Sequence, residues 1–183
     1  LAMDGSGALY VFDNTMWVGT QNGSRVRKID VNGTMTTIAG GGASYVEGAD
    51  AKTVFLGATP MTGGKGVVAD GQGNLYFGVD SNDGGSPHNV IRKVHAGNGT
   101  ITTIAGGGAT MPPHNGTIFA TDAKFTNVKA LAMDGSGALY VFDNSMWVGT
   151  QNGSRVRKID VNGTLTTIAG GGASYVEGAD AKT

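Results

Sequence analysis

The sequence predicts an all-β protein made of repeated four-stranded antiparallel leaves, and three observations predict it. Residues 1–53 recur as 131–183, a shift of 130 positions, with only Thr15 answered by Ser145 and Met35 by Leu165. A looser copy lies between them, because "TTIAGGG" occurs at Thr36, Thr102 and Thr166. The period is therefore about 65 residues, and the chain reads unit A, unit B, unit A. Finally, 33 glycines stand against 4 prolines amid abundant Thr, Val and Ile, the composition of short strands joined by tight turns. No stretch carries a convincing 3.6-residue apolar period.

Each element of unit A has its own justification. "LAMD" (1–4) and "ALYVFD" (8–13) read as strands around "DGSG", where Asp caps the turn and Gly supplies backbone angles closed to other residues. "RVRKID" (25–30) and "MTTIA" (35–39) flank Asn-Gly, the pair favoured in a two-residue hairpin. Four antiparallel strands and a Gly-rich crossover are what one blade of a β-propeller requires. A blade leans on neighbours through both faces, so apolar alternation within its strands is only partial. The expected units are a blade and crossover at 1–65, a second at 66–130, and a copy of the first at 131–183. They make about three blades of a larger propeller or repeat array.

The ordered set "DGxGxLY", "[VI]RK[IV]" and "TTIAGGG", with "ATDAKFTNVKALAMDG" (120–135) as the link between blades, resembles the NHL-repeat propellers. "GADAKTVFLGATPMTGGKGVVADG" (48–71) is a longer form of that link, and the resemblance covers essentially the whole chain. It departs from the family in its long crossovers and in enlarged connections at 14–24 and 81–88. The resemblance implies a propeller fold and a range of roles: scaffold, protein or RNA binder, or lyase. Fold does not choose among these. In a meander the first and third turns share one end of the blade, so both enlarged connections share the other, where binding loops are expected.

A formal charge of −1 with no basic stripe gives nucleic-acid binding little support. No apolar run is long enough to span a bilayer, and the absence of cysteine removes disulfides and thiolate chemistry. The chain begins with Leu, and "GGGASYVEGADAKT" (170–183) repeats letters that earlier lead into another blade. We expect a segment of a longer chain.

Six Asn-x-Ser/Thr sequons are present, at Asn22, Asn32, Asn98, Asn115, Asn152 and Asn162. Chance placement would give about two in this composition. All six are glycosylation candidates, although for Asn32, Asn98 and Asn162 the hairpin accounts for the Asn-Gly equally well. Asn22, Asn115 and Asn152 sit in long loops and point to glycosylation in a secreted protein. Trp17 and Trp147 occupy the enlarged loop, and Tyr45 and Tyr175 the crossover. These rings suit sugar or protein contact, against the plainer reading of a lid over the blade edge.

Other features favour plain readings. "DSNDGGS" (80–86) lacks the full calcium-loop pattern and its distal Glu, and reads as a solvated turn. His88, His95 and His114 match no zinc spacing and read as surface residues. Arg25, Arg27 and Lys28, and their counterparts, are expected to lay aliphatic stems between blades with tips reaching water or an Asp such as Asp30. The glycines of "AGGG" (39–42) read as crossover flexibility. Copying unit A places every group in equivalent surroundings at least twice, which suits a scaffold better than a catalytic centre.

The expectation is a non-enzymatic structural or binding segment of an extracellular or cell-surface glycoprotein, without cofactor or metal. Its partner is more of the same chain, a second copy, or a glycan or protein ligand, and it can build a filament or stalk. The alternatives are a propeller lyase or hydrolase with a channel metal, and an artificially symmetrised propeller.

Overall fold

The computed structural model describes residues 1–13, 23–57, 66–82, 87–113, 115–144, 153–172 and 177–182, with backbone only at 80–82 and 87–88. Blade 1 is the sheet β1 (Ala2–Met3), β2 (Leu9–Asp13), β3 (Arg25–Ile29) and β4 (Met35–Gly40), paired in that order. Blade 2 repeats it with β5 (Val67–Ala69), β6 (Leu75–Asn82), β7 (Pro87–Val94) and β8 (Ile101–Gly106). Blade 3 comprises β10 (Val128–Met133), β11 (Leu139–Asp143), β12 (Arg155–Ile159) and β13 (Thr164–Gly170), with β9 (Thr117–Phe119) paired outside β13. All the pairings within the sheets are antiparallel, as the sequence predicts. The enlarged connection of unit B is partly strand, since β6 and β7 stay paired as far as Asn82 and Pro87.

The turns are local solutions to local sequence. The Asp4 carboxylate accepts the backbone N–H groups of Ser6 (2.9 Å) and Ala8 (3.0 Å), and Gly7 takes a φ of 86°. The Asn-Gly turn has the same build, with Asp30 accepting from Asn32 and Thr34 and with Gly33 at a φ of 83°. It is therefore a three-residue loop ending in a left-handed glycine rather than the two-residue hairpin expected, because Asn32 keeps a negative φ. This use of Asp30 also corrects its expected role as an arginine partner. Lys28 instead lies 3.7 Å from Asp4, and Arg27 lies 3.5 Å from Asp13.

Ile38, Ile104 and Ile168 are each the extra residue of a bulge in the last strand of the meander, between paired Thr and Ala. Three equivalent bulges confirm that the repeats are one structural unit. The glycines that follow are fixed by close approach rather than by flexibility. A Cβ on Gly40 would stand 2.2 Å from the Ser24 carbonyl, and one on Gly42 would stand 2.0 Å from that of Thr53.

Side chains alternate between two cores. From β6, Leu75, Phe77 and Val79 face blade 1, in a core with Tyr10, Val26 and Leu56 to which Ile101 of β8 adds. Tyr76 faces the other way, into a core with Ile91, Phe125, Leu139, Val141 and Leu165. Blade 2 is thus covered on both faces, as one leaf between two. Each fully buried side chain of this kind contributes about 1.5–3 kcal/mol.

The crossovers hold more structure than their sequence announces. Ala51 N–H reaches the Gly99 carbonyl (2.9 Å) and Ile101 N–H reaches that of Ala49 (3.0 Å), so the first crossover lies along the outer strand of blade 2. Ala120 N–H reaches the Gly163 carbonyl (2.8 Å), continuing β9 along blade 3. Each crossover straps the outer edge of the next blade before it returns to the inner strand. Ala51 and Ala120 are therefore equivalent, and the two "DAK" triplets, at 50–52 and 122–124, are out of register by three residues.

Candidate functional site

Two features recur at the seams between blades: a cleft at the end that carries the tight turns, and a polar lock under the strap. The cleft is built from an Asp of the first turn, a Tyr of the second strand and a Lys of the third. Tyr10 donates to Asp4 (2.9 Å), Tyr76 to Asp70 (3.0 Å) and Tyr140 to Asp134 (3.1 Å). In each set the lysine ammonium, of Lys28, Lys93 or Lys158, lies 5.3–5.6 Å from the tyrosine ring centre.

Between blades 1 and 2 this set borders a cleft of about 480 Å³ with Ile38, Leu75, His95 and Asn98. Between blades 2 and 3 a cleft of about 350 Å³ has Tyr76, Lys93, Ile104, Leu139, Asp160 and Asn162 in the corresponding places. The turns are tied together at this end. The Asn74 side chain donates to Asp70 (2.7 Å) and accepts from Ala96 N–H (3.0 Å), joining the first and third turns of unit B.

The electrostatics hold Asp4, Asp134, Tyr76 and Lys28 in their ordinary charge states. The Ser6 hydroxyl holds the Asp4 carboxyl well below the usual carboxylate range, against opposition from burial and with help from Tyr10 and two backbone amides. Asp134 is lowered to about 2, first by the Ser136 hydroxyl. Burial pushes the Tyr76 phenol up and Asp70 adds to the effect, so the hydroxyl stays protonated. The Tyr10 hydroxyl, more than Asp4, raises Lys28. A carboxylate held ionised, a phenol held protonated and an ammonium held charged provide hydrogen bonding and brace the blade. Asp4, Asp134 and Tyr76 are each moved away from neutral pH, toward hydrogen bonding rather than proton transfer.

The lock lies on the face each blade turns toward its predecessor. Arg92 Nη1 donates to the Thr103 hydroxyl (2.7 Å) and to Glu47, carried by the strap. Glu47 also accepts from Thr103 N–H (2.8 Å) and the Thr103 hydroxyl (2.6 Å). Burial pulls the Arg92 guanidinium down, and the Glu47 charge opposes it. In blade 3 the equivalent Arg157 donates to Thr167 (2.7 Å), whose hydroxyl donates to the Pro113 carbonyl (3.0 Å). The carboxylate there comes from within the blade: Asp143 stands 3.7 Å from Arg157, with both side chains 2% exposed.

Tyr45 is 55% exposed and meets Phe55 edge-on, with ring centres 5.6 Å apart. Asn32, Asn98, Asn115 and Asn162 are all at least partly exposed. Trp17, Trp147, Tyr175, Asn22, Asn152 and His114 lie outside the described residues, as does the His88 side chain. His95 is half-buried, its Nε2 2.9 Å from the Thr102 hydroxyl. Among the described residues, no three His, Asp or Glu side chains gather as metal ligands. Among them, too, no helix is long and apolar enough to cross a membrane. Sequence reasoning missed the Glu47 lock, although a signal was present: Glu47 and Glu177 are the chain's two glutamates, both in "VEGADAK".

No family model matches the chain, and no curated protein matches it. Among solved structures it is similar to a protein of unknown function from Bacteroides thetaiotaomicron, with 17% identity and a TM-score of 0.56. That likeness covers 92% of this chain and 34% of that one, so the chain spans about a third of its length. A second structure, carrying a provisional gluconolactonase assignment, is 11% identical with a TM-score of 0.44, over 91% of this chain and 53% of that one. The first likeness shows the fold alone, and the second carries no argument.

Proposed function

We propose that the chain is a non-enzymatic structural and binding segment of a longer, extracellular, N-glycosylated, NHL-like propeller repeat protein whose paired units assemble into a filament or stalk. The observation that carries this reading is the alternation of blades. Unit A occurs twice almost letter for letter, and its two copies bury opposite faces against the single unit B. Surfaces that repeat identically can repeat identical contacts, and contacts that do not close generate filaments. The recurring Asp–Tyr–Lys clefts support binding over catalysis, because each carboxylate is already taken up by its turn and its tyrosine.

The four sequon asparagines that reach the surface are compatible with glycans, and Tyr45 on the first strap offers a ring for contact, with Trp17, Trp147 and Tyr175 proposed alongside it. Intact mass of the source polypeptide before and after glycosidase treatment tests the reading. A mass far above that of 183 residues, falling on treatment, is expected. An unglycosylated 183-residue product would remove both the glycoprotein and the array.

A further inference from the structure

We propose that the cleft between blades 1 and 2 binds a neutral sugar, one pyranose ring seated on Ile38, Leu75 and Val94 with its hydroxyls engaged by Asp50, Lys52 and His95. The proposal rests on the reading of the recurring clefts as binding sites and names what one of them takes. A difference between two clefts with a common floor carries it. Ile38, Leu75 and Val94 in the first answer to Ile104, Leu139 and Ile159 in the second, and Lys28 answers to Lys93. Ile38 and Ile104 are the bulge residues, so one irregularity turns an apolar side chain into each seam.

The rims differ. The first strap brings Asp50 and Lys52 to the first cleft, and both are exposed. Asp50 accepts the Lys52 N–H (3.0 Å) with one carboxylate oxygen, which leaves the other for a ligand. The matching positions of the second strap hold Phe119 and Thr121, and neither borders the second cleft. His95 stands where the second cleft has Asp160, whose carboxylate is taken up by the N–H groups of Asn162 and Thr164.

The seam lies within the chain, since its walls are blade 1, blade 2 and the strap between them. The second cleft is lined by residues of blades 2 and 3 alone, so a strap along the outer edge of the leading blade does not enter it. A volume of about 480 Å³ falls in the range of small-molecule sites. Charge argues for a neutral occupant. Lys28 and Lys52 balance Asp4 and Asp50 at the first cleft, whereas Asp70 and Asp160 outnumber Lys93 at the second. A sugar hydroxyl both donates and accepts, so it uses a carboxylate and an ammonium together, and the C–H face of the ring suits the apolar floor. The sugar can belong to a separate molecule or to a glycan on Asn98, which borders the same cleft.

Proton–nitrogen correlation NMR of the unglycosylated chain reads binding, with the methyl glycosides of glucose, galactose and N-acetylglucosamine titrated into the millimolar range. Saturating shifts are expected at Gly73, Ala96 and Gly99, with Gly137 and Gly163 of the second cleft unmoved. Lys52→Met, and Asp50→Asn, which keeps the turn's acceptor, should each weaken binding about tenfold, with thermal melts confirming folded chains. In chain glycosylated at Asn98, first-cleft amides already at their bound positions mark that glycan as the source, and amides still free to shift mark a separate sugar. A titration with no saturating shift from any of the three glycosides overturns the proposal. So do equal shifts at both clefts, or acetate and glucuronate moving the first cleft more than the neutral glycosides do. Release of methanol from a bound glycoside would sink the non-enzymatic reading and leave the site standing, whereas a silent titration would sink the site and leave the scaffold.

Discussion

Blades 1 and 3 are close to a controlled experiment, since two nearly identical stretches fold in one molecule with different neighbours. Blade 1 buries Tyr10, Val26 and Ala39 against blade 2, and leaves Met35 and the Asp13–Arg27 pair near solvent. Blade 3 does the reverse, with Val141, Leu165 and the Asp143–Arg157 pair buried and Phe142 exposed. The second, third and fourth strands pair in the same register in both, with the same bulge. Local sequence therefore sets the blade, and adjacency decides which side chains hold it in place.

The largest effect expected from this contrast lies in the ion pairs. Asp143→Val strips a buried guanidinium of its carboxylate and removes the acceptor for the Thr126 and Asn127 N–H groups, a loss of about 3–5 kcal/mol. Asp13→Val, at the half-exposed copy, should change stability by less than about 1 kcal/mol. Urea unfolding of the two variants checks the gap, and equal losses would dissolve the comparison.

Next in size comes the apolar pair. Leu165→Ala opens a cavity under blade 2 and should cost about 2–4 kcal/mol. Met35→Ala, at the same place in blade 1, should fall within about 0.5 kcal/mol of the parent. The opposite faces reverse the ranking. Phe12→Ala should lose about 1–3 kcal/mol with its Phe77 contact, while Phe142→Ala costs less than about 1 kcal/mol. A denaturation series in which Phe142 proved the costlier residue would reverse the assignment of free faces.

The smallest effect should be shared, because the turns do not depend on neighbours. Asp134 falls from 3.8 to about 2 on folding, and Asp4 moves in the same direction. A lowered carboxylate contributes stability that is complete above its unfolded pKa and lost as pH falls through the folded one. Thermal melts should therefore decline between about pH 4 and 2. Ser136→Ala, which removes the first cause of the shift at Asp134, should flatten that decline in part, and Ser6→Ala should do the same at Asp4. NMR titration of the two carboxyls reads this directly, and unlike shifts at Asp4 and Asp134 would mean the turns do sense their blades.

Much of the fold was legible because its rules are short-range. Asp four residues before the resumed strand, with Gly between, dictates the turn whatever lies beyond it, and the bulge recurs wherever "TTIA" does. The candidate sites were less legible. Glu47 meets Thr103 across 56 positions, and its meaning depends on a strap laid along a neighbouring blade. The glycines of "AGGG" looked flexible because nothing in the sequence places the Thr53 carbonyl beside Gly42. The matching "DAK" triplets do not mark equivalent points, because the second crossover reaches the same structural point with different letters.

By itself the sequence determined the repeat, the four strands of each blade and the chemistry of the turns, since each follows from backbone preferences and hydrogen bonds within a few residues. Only the tertiary structure decided which face of each copy is core, which arginine takes its carboxylate from its own blade and which from a strap. Burial and pairing of charge are properties of two surfaces in contact, and one strand's letters specify only one of them.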